Sequence, residues 1–349
     1  MLELGVALVI AIGLNVYLLL GGADYGGGVW DLFASGGRAE RQRDLIARSI
    51  GPIWEANHVW LIVVVVVLFT GFPAAFARIM TFLHIPLLLM LLGIVARGSA
   101  FAFRSYETSE PLRRRWGSVF AIASLLTPIL LGTVVGAIAS GNIISGTPNV
   151  YTIRMFIYGW LGLFPLSVGF FALVMMAFLA SVYLCLEARE TDLQEDFRAR
   201  ALISGVLLGG MAVVVLVAAA FEAPEIVEDL IRTRWSWALH SVTAVLAISC
   251  LWCLWTRRYR TARLLAAMQV TLIMWGWAFS LYPHLVKPDL SIYEAAAPRL
   301  TLELLLIVLA LGSVILLPSL YYLFRVFHKV GGPGNAEHPN AKRGMRNAE

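Results

Sequence analysis

Gly51–Phe72, GPIWEANHVWLIVVVVVLFTGF, decides how this chain is read. A carboxylate, an amide and an imidazole (Glu55, Asn57 and His58) stand at the mouth of a segment that is otherwise apolar and long enough to enter a lipid bilayer. An ionisable side chain at membrane depth is expensive, roughly 2.5–3.5 kcal/mol for Asp or Lys at a helix centre. Groups kept there usually mark an ion or proton path or a ligand site rather than packing. His58 follows Glu55 by three residues, so the two share a helix face.

The rest of the chain has the same character. Of its 349 residues, 59% are hydrophobic and 14% charged, where a soluble protein is about 25% charged. Mean hydropathy is +0.78. The apolar stretches are unbroken runs of about 20 residues, which predicts membrane helices and disfavours a β-barrel. The net charge of +5 does not indicate a nucleic-acid partner, because the basic residues fall between the apolar runs, as loop anchors do.

Nine spans fit the hydropathy: 3–22, 54–72, 80–101, 117–139, 156–185, 201–221, 235–255, 263–282 and 301–325. The fifth and ninth run long, and Pro128, Pro165 and Pro318 are expected to kink their helices. The first run lacks a basic leader and a small-residue cleavage site, so it reads as a membrane helix and not a signal peptide. Alternate loops hold 21 of the Lys and Arg residues against six on the other side. The positive-inside rule then places the N-terminus outside and the C-terminus in the cytoplasm. The organisation expected is one integral membrane domain over 1–330 and a disordered cytoplasmic tail over 331–349.

Span one ends in GGADYGGGVWDLF, which puts Asp24 near the inner boundary, level with Glu55 at the start of span two. The glycines permit close helix approach or local unwinding beside a cavity. Asp24, Glu55, Asn57 and His58 together suit a proton relay; the plainer reading is a polar cluster that anchors helix ends. Arg97 and Arg104 on span three are placed to counter Asp24 or Glu55, or to snorkel to the interface. Trp54 and Trp60 flank the cluster. Glu-x-x-His is also half of a di-iron motif, but no second copy falls within a span. His58 as a haem ligand is a further alternative; His84, His240 and His284 lie too far toward the outer side to pair with it. His240 reads as a packing histidine, and Glu303 as the i,i+4 partner of Arg299. Cys185, Cys250 and Cys253 read as small core residues with no disulfide framework. The acidic segment Glu222, Glu225, Glu228 and Asp229 reads as a solvated outer loop, with an outer-face cap or a partner contact as alternatives.

GADYGGGVWDL, then IGPIWEANHVWLIVVVVVLFTGFP, then ARGSAFAFR resemble subunit II of the cytochrome bd family of quinol oxidases, closest to its cyanide-insensitive branch. The likeness is strong over roughly the first 110 residues and rests on span count beyond them. It implies an all-α polytopic membrane protein with nine transmembrane helices, arranged as two four-helix bundles plus one peripheral helix. It implies a subunit of the bacterial cytoplasmic (inner) membrane that pairs with a haem-bearing subunit I in an enzyme oxidising quinol and reducing O2 to water. Haems b558, b595 and d are expected in subunit I, with no catalytic residue, metal or haem on this chain. A structural quinone and a small single-span accessory subunit also occur in the family. The resemblance further implies support of assembly and of cytoplasmic proton delivery to the oxygen-reducing haem, with Glu55 matching the acid of a W-[DE]-x-N motif and Asp24 the acid of the glycine-rich motif. Burial would let Glu55 bind and release protons near neutral pH. Many relatives carry another acid three residues before Asp24, where this chain has Gly21. A proton- or ion-coupled secondary transporter is the alternative of another class, and a purely structural membrane subunit a third.

Overall fold

The computed structural model describes residues 1–51, 54–143 and 153–330; the tail expected to be disordered, 331–349, lies outside them. Among the described residues, nine helices are long and apolar enough to cross a membrane. They are α1 (Leu2–Leu32), α2 (Trp54–Gly71), α3 (His84–Tyr106), α4 (Glu110–Ser140), α5 (Leu163–Glu187), α6 (Thr191–Glu222), α7 (Arg234–Trp255), α8 (Tyr259–Leu281) and α9 (Arg299–Val330). The chain divides into two units, Met1–Leu305 and Leu306–Glu349. The first holds α1–α8 and the opening turns of α9. The second, as far as described, is the remainder of that helix, with Pro318 inside it.

The lengths depart from those predicted. α5 has 25 residues, while α1 and α4 have 31 and α6 and α9 have 32. The fifth run is shorter than its hydropathy because Ile153–Ile157 forms a separate short helix and the chain turns before Leu163. Pro165 therefore falls in the first turn of α5, where its missing N–H breaks no bond and no kink follows. Pro128 lies inside α4 as predicted.

α5 is the central helix of the first unit. It packs against α1, α4, α6 and α8, and 67% of its most apolar window is buried against 17% in α3 and α7. Lipid is as apolar as a leucine side chain, so burial alone does not draw membrane helices together; close packing does. Gly26 on α1 shows this. A Cβ there would overlap the Met176 carbonyl oxygen of α5. The glycine tract thus serves close approach and not unwinding, and α1 stays helical through to Leu32. Met176, Phe178, Leu179 and Val182 of α5 share one core with Tyr17 and Tyr25 of α1.

Polar ends are fastened individually. The acidic segment after α6 is engaged where a solvated loop is predicted. Both oxygens of Glu222 accept N–H groups at the start of α5, from Leu163 at 2.9 Å and Phe164 at 2.8 Å, satisfying donors that a helix terminus leaves unpaired. Asp229 accepts Lys287 Nζ at 2.9 Å from a short hairpin, His284–Val286 paired with Leu290–Ser291. The amphipathic helix Ala39–Ile50 follows α1 and buries Gln42, Leu45, Ile46 and Ile50 on one face. Arg38 just before it meets Asp196 of α6 through Nε at 2.8 Å. His240 Nε2 lies 2.9 Å from the Leu230 carbonyl, but the side chain is exposed and not the packing histidine read from the sequence. Arg299 donates to Glu303 at 2.7 Å, as read from the sequence.

Candidate functional site

The end of α1, the start of α2 and the middle of α3 bring most of the predicted polar residues together. α1 and α2 run antiparallel after the turn between them, so Asp24 meets Asn57 and, one residue on in each helix, Tyr25 meets His58. Asn57 Nδ2 donates to Asp24 Oδ2 at 2.7 Å; Asp24 is 4% exposed and Asn57 1%. The Tyr25 hydroxyl lies 3.3 Å from His58 Nε2, and the Tyr17 hydroxyl donates to Tyr25 across another 3.3 Å. Trp54 stands edge-on to His58, with ring centroids 6.0 Å apart. Trp60 is half-buried against the core that contains Tyr17 and Tyr25.

Arg97 closes the cluster from α3. It is 1% exposed, donates from Nε to Ser124 Oγ at 3.2 Å, and stacks over the Tyr25 ring at 4.7 Å and the Phe120 ring at 5.3 Å. It makes no ion pair or hydrogen bond with Asp24 or Glu55 among the described residues, and it is buried rather than snorkelling to the interface. Desolvated cation–π contacts of this kind are worth about 2 kcal/mol, which helps explain how a guanidinium persists here without a carboxylate hydrogen bond. Arg97 Nη2 and Asn57 Oδ1 are buried with no hydrogen-bond partner among the described residues. A donor and an acceptor so placed are the kind of group that interior water satisfies.

Two predicted members stand elsewhere. Glu55 is exposed and has no hydrogen bond or ion pair among the described residues, so the burial expected for it belongs to Asp24 instead. Sharing a helix face with His58 does not bring Glu55 in, because that face runs from the buried cluster out to the helix margin. Arg104 counters neither Asp24 nor Glu55. It donates to Asp31 Oδ2 at 2.9 Å, with Arg43 Nε 3.8 Å from the other oxygen. Asp31 was not singled out from the sequence, although its spacing of seven from Asp24 puts the two on one face of α1. Tyr17 and Tyr25, spaced by eight, share a face in the same way.

No group of three or more His, Cys, Asp or Glu side chains converges on one point among the described residues. His58 Nε2 lies against the Tyr25 hydroxyl, and its Nδ1 is buried with no partner among the described residues. Two grooves of about 310 Å³ each run along the α7–α8 face and share Val242 and Leu272. Leu246 and Met268 line one and Trp235 and Phe279 the other. These walls fit an apolar chain and present no charged group to a quinone headgroup.

The profile of the family described as cytochrome bd terminal oxidase subunit II matches residues 2–327. The chain is similar to the cytochrome bd ubiquinol oxidase subunit 2 of Bacillus subtilis, at 25% identity over 344 residues, covering 90% of this chain and 93% of that protein. It is similar over 141 residues, at 28% identity, to the cytochrome bd-I ubiquinol oxidase subunit 2 of Escherichia coli, covering 40% of this chain and 35% of that one. Its fold matches a chain of the bd oxidase of Geobacillus thermodenitrificans with a TM-score of 0.77 at 22% identity, covering 93% of this chain and 98% of that chain.

Proposed function

Since this chain belongs to the cytochrome bd terminal oxidase subunit II family and is a multi-pass membrane subunit of a quinol oxidase complex, we propose that it supports assembly with subunit I and delivers cytoplasmic protons toward the oxygen-reducing haem there. Haems b558, b595 and d are assigned to subunit I, where the haem group supplies oxygen binding and electrons. Quinol and O2 are the enzyme's substrates in this reading. We also read α1–α4 and α5–α8 as two four-helix bundles, on the strength of the pairings within each set. The arginine-rich loops support a cytoplasmic C-terminus and an outside N-terminus in the bacterial inner membrane.

One observation carries the proton role: Asp24 is almost wholly buried, and its only hydrogen-bond partner among the described residues is a neutral amide. A buried carboxyl with no charged hydrogen-bond partner among the described residues suits a group that both binds and releases a proton. A permanently paired acid is held in one state. Reduction of O2 to water consumes four protons, and each must cross low-dielectric interior through titratable or hydrogen-bonded stations. In this scheme exposed Glu55 takes up the proton, Asp24 holds it next, and Asn57 fixes the orientation of the Asp24 carboxyl.

The test is turnover of the purified complex bearing Asp24→Asn or Glu55→Gln, normalised to haem content. Both substitutions keep shape and remove titration. Slowed turnover with unchanged haem spectra is the expected result. Wild-type turnover in both variants would overturn the reading.

A further inference from the structure

We infer that Tyr17, Tyr25 and His58 form a proton-carrying line that takes over from the Asp24–Asn57 pair and leads deeper between α1 and α2. This rests on the proton-delivery reading above and extends it to residues that reading does not use. Tyr25 follows Asp24 and His58 follows Asn57 in sequence. No direct hydrogen bond joins the two pairs among the described residues, but Asn57 Oδ1 and His58 Nδ1 are both buried with no partner among them, and interior water satisfies such groups. The line's three polar atoms are continuous: Tyr17 hydroxyl to Tyr25 hydroxyl at 3.3 Å, then Tyr25 hydroxyl to His58 Nε2 at 3.3 Å. Both gaps are slightly longer than a settled hydroxyl hydrogen bond, as relay contacts are before a proton moves.

Packing alone does not account for these residues. Tyr17 is 2% exposed and Tyr25 0%, so neither hydroxyl reaches bulk water. Phenylalanine would fill the same space without a hydroxyl to desolvate. The rings are also held in place: both tyrosine rings lie 5.8 Å from the His58 ring, Tyr17 edge-on at 84°. Arg97 lies over the Tyr25 ring.

Gly21 seats the far end. A Cβ at that position would come 2.8 Å from Tyr17 Cε2, closer than van der Waals contact allows. Any side chain at 21 pushes the Tyr17 ring aside and draws its hydroxyl away from Tyr25.

Inward transfer balances as follows. A proton arrives from water at Nδ1 of neutral His58, which is buried with no partner among the described residues. The Nε2–H then passes to the Tyr25 oxygen, the Tyr25 hydroxyl proton to Tyr17, and the Tyr17 hydroxyl proton to a water oxygen beyond it. Four bonds to hydrogen break, four form, and no electron moves. The hydroxyls then rotate back, and a rotation of the imidazole that presents its bare nitrogen to the incoming side precedes the next transfer.

The experiment uses the intact oxidase complex with its haem-bearing subunit. Tyr25→Phe and Tyr17→Phe keep both rings and the Arg97 stack and remove one hydroxyl each. Turnover per haem is measured in H2O and D2O, with Glu55→Gln alongside. The expected result is turnover several-fold lower in each tyrosine variant, an enlarged solvent isotope effect, unchanged haem spectra, and a Gly21→Ala variant that matches Tyr17→Phe. If Glu55→Gln is slow while both tyrosine variants have wild-type rates and isotope effects, the line is overturned and the proton-delivery reading stands. If all three match wild type and Asp24→Asn does too, both fall. Loss of haem with unchanged turnover per remaining haem marks the tyrosines as structural and overturns the line. Where Tyr25→Phe does not assemble, Tyr17→Phe decides alone.

Discussion

Asp24 and Asp31 lie two turns apart on the same face of α1, each 4% exposed, and each has an arginine of α3 nearby. Asp31 is matched by charge: Arg104 donates to it at 2.9 Å, and Arg43 stands 3.8 Å away. Among the described residues Asp24 has only the Asn57 amide at 2.7 Å, and its arginine is spent on two aromatic rings and a serine. The same side chain on the same helix therefore has two kinds of environment. Two guanidinium groups flank Asp31, which joins α1 to α3 and to the helix that follows α1. Asp24 is only half compensated. That arrangement is poor for stability and useful for a group that must change protonation state.

The sharpest way to break this contrast is to exchange the penalties. Arg104→Met leaves Asp31 buried with one distant partner and is expected to destabilise the complex by about 3 kcal/mol, the low end for breaking a buried ion pair. Thermal unfolding of the purified complex reads this loss, and turnover per haem should stay near wild type. Asp24→Asn should do the reverse. Turnover per haem falls on the order of tenfold, equivalent to ~1.4 kcal/mol in barrier, with little change in unfolding temperature. If Asp24→Asn costs stability and leaves turnover intact, the two aspartates are alike and the contrast fails.

Much of this architecture is legible in the sequence because the bilayer imposes it. A run of about 20 apolar residues has few alternatives to a spanning helix, and nine runs became nine helices among the described residues. Which helix is central was not legible, since α5 and α3 both carry long apolar runs and hydropathy does not distinguish a protein neighbour from lipid. At the site, the proximity of Asp24 to Asn57 and His58 followed from the two helices meeting at one boundary. The exposure of Glu55 did not, because a helix face is wide enough to hold one buried and one exposed group. Tyr17, Tyr25 and Asp31 were passed over because each looks ordinary alone. Their spacings of eight and seven along α1 carry the signal, and it becomes visible only once Asp24 fixes which face matters.

Carboxylates with fixed tasks should give smaller and purely structural effects. Glu222→Gln weakens the two bonds it makes to the N-terminus of α5 and is expected to lower stability by about 1 kcal/mol, as loss of a helix cap does. Turnover per haem should not change, which separates an acid that fastens a helix from one that relays protons.

The smallest effect is expected at Arg257, between α7 and α8. Its Nε donates to Glu195 Oε1 at 2.8 Å, but the side chain is 64% exposed. An exposed pair is worth about 0–1 kcal/mol and weakens with salt. Its backbone carries an opposing cost, a φ of 59° in the left-handed region, where a non-glycine residue loses roughly 1 kcal/mol. That conformation is needed, because Arg258 N–H must reach the Cys253 carbonyl at 2.7 Å to close the end of α7. Arg257→Ala removes the pair and keeps the strain, so it should destabilise by about 0.5 kcal/mol at low salt and less at high salt. Arg257→Gly removes both and should be more stable than the alanine variant by about 1 kcal/mol. Thermal unfolding of the two variants side by side checks the order. A loss at Arg257→Ala as large as that at Arg104→Met would mean that exposure does not govern what these ion pairs contribute, and the distinction between Asp31 and the surface pairs would have to be drawn on other grounds.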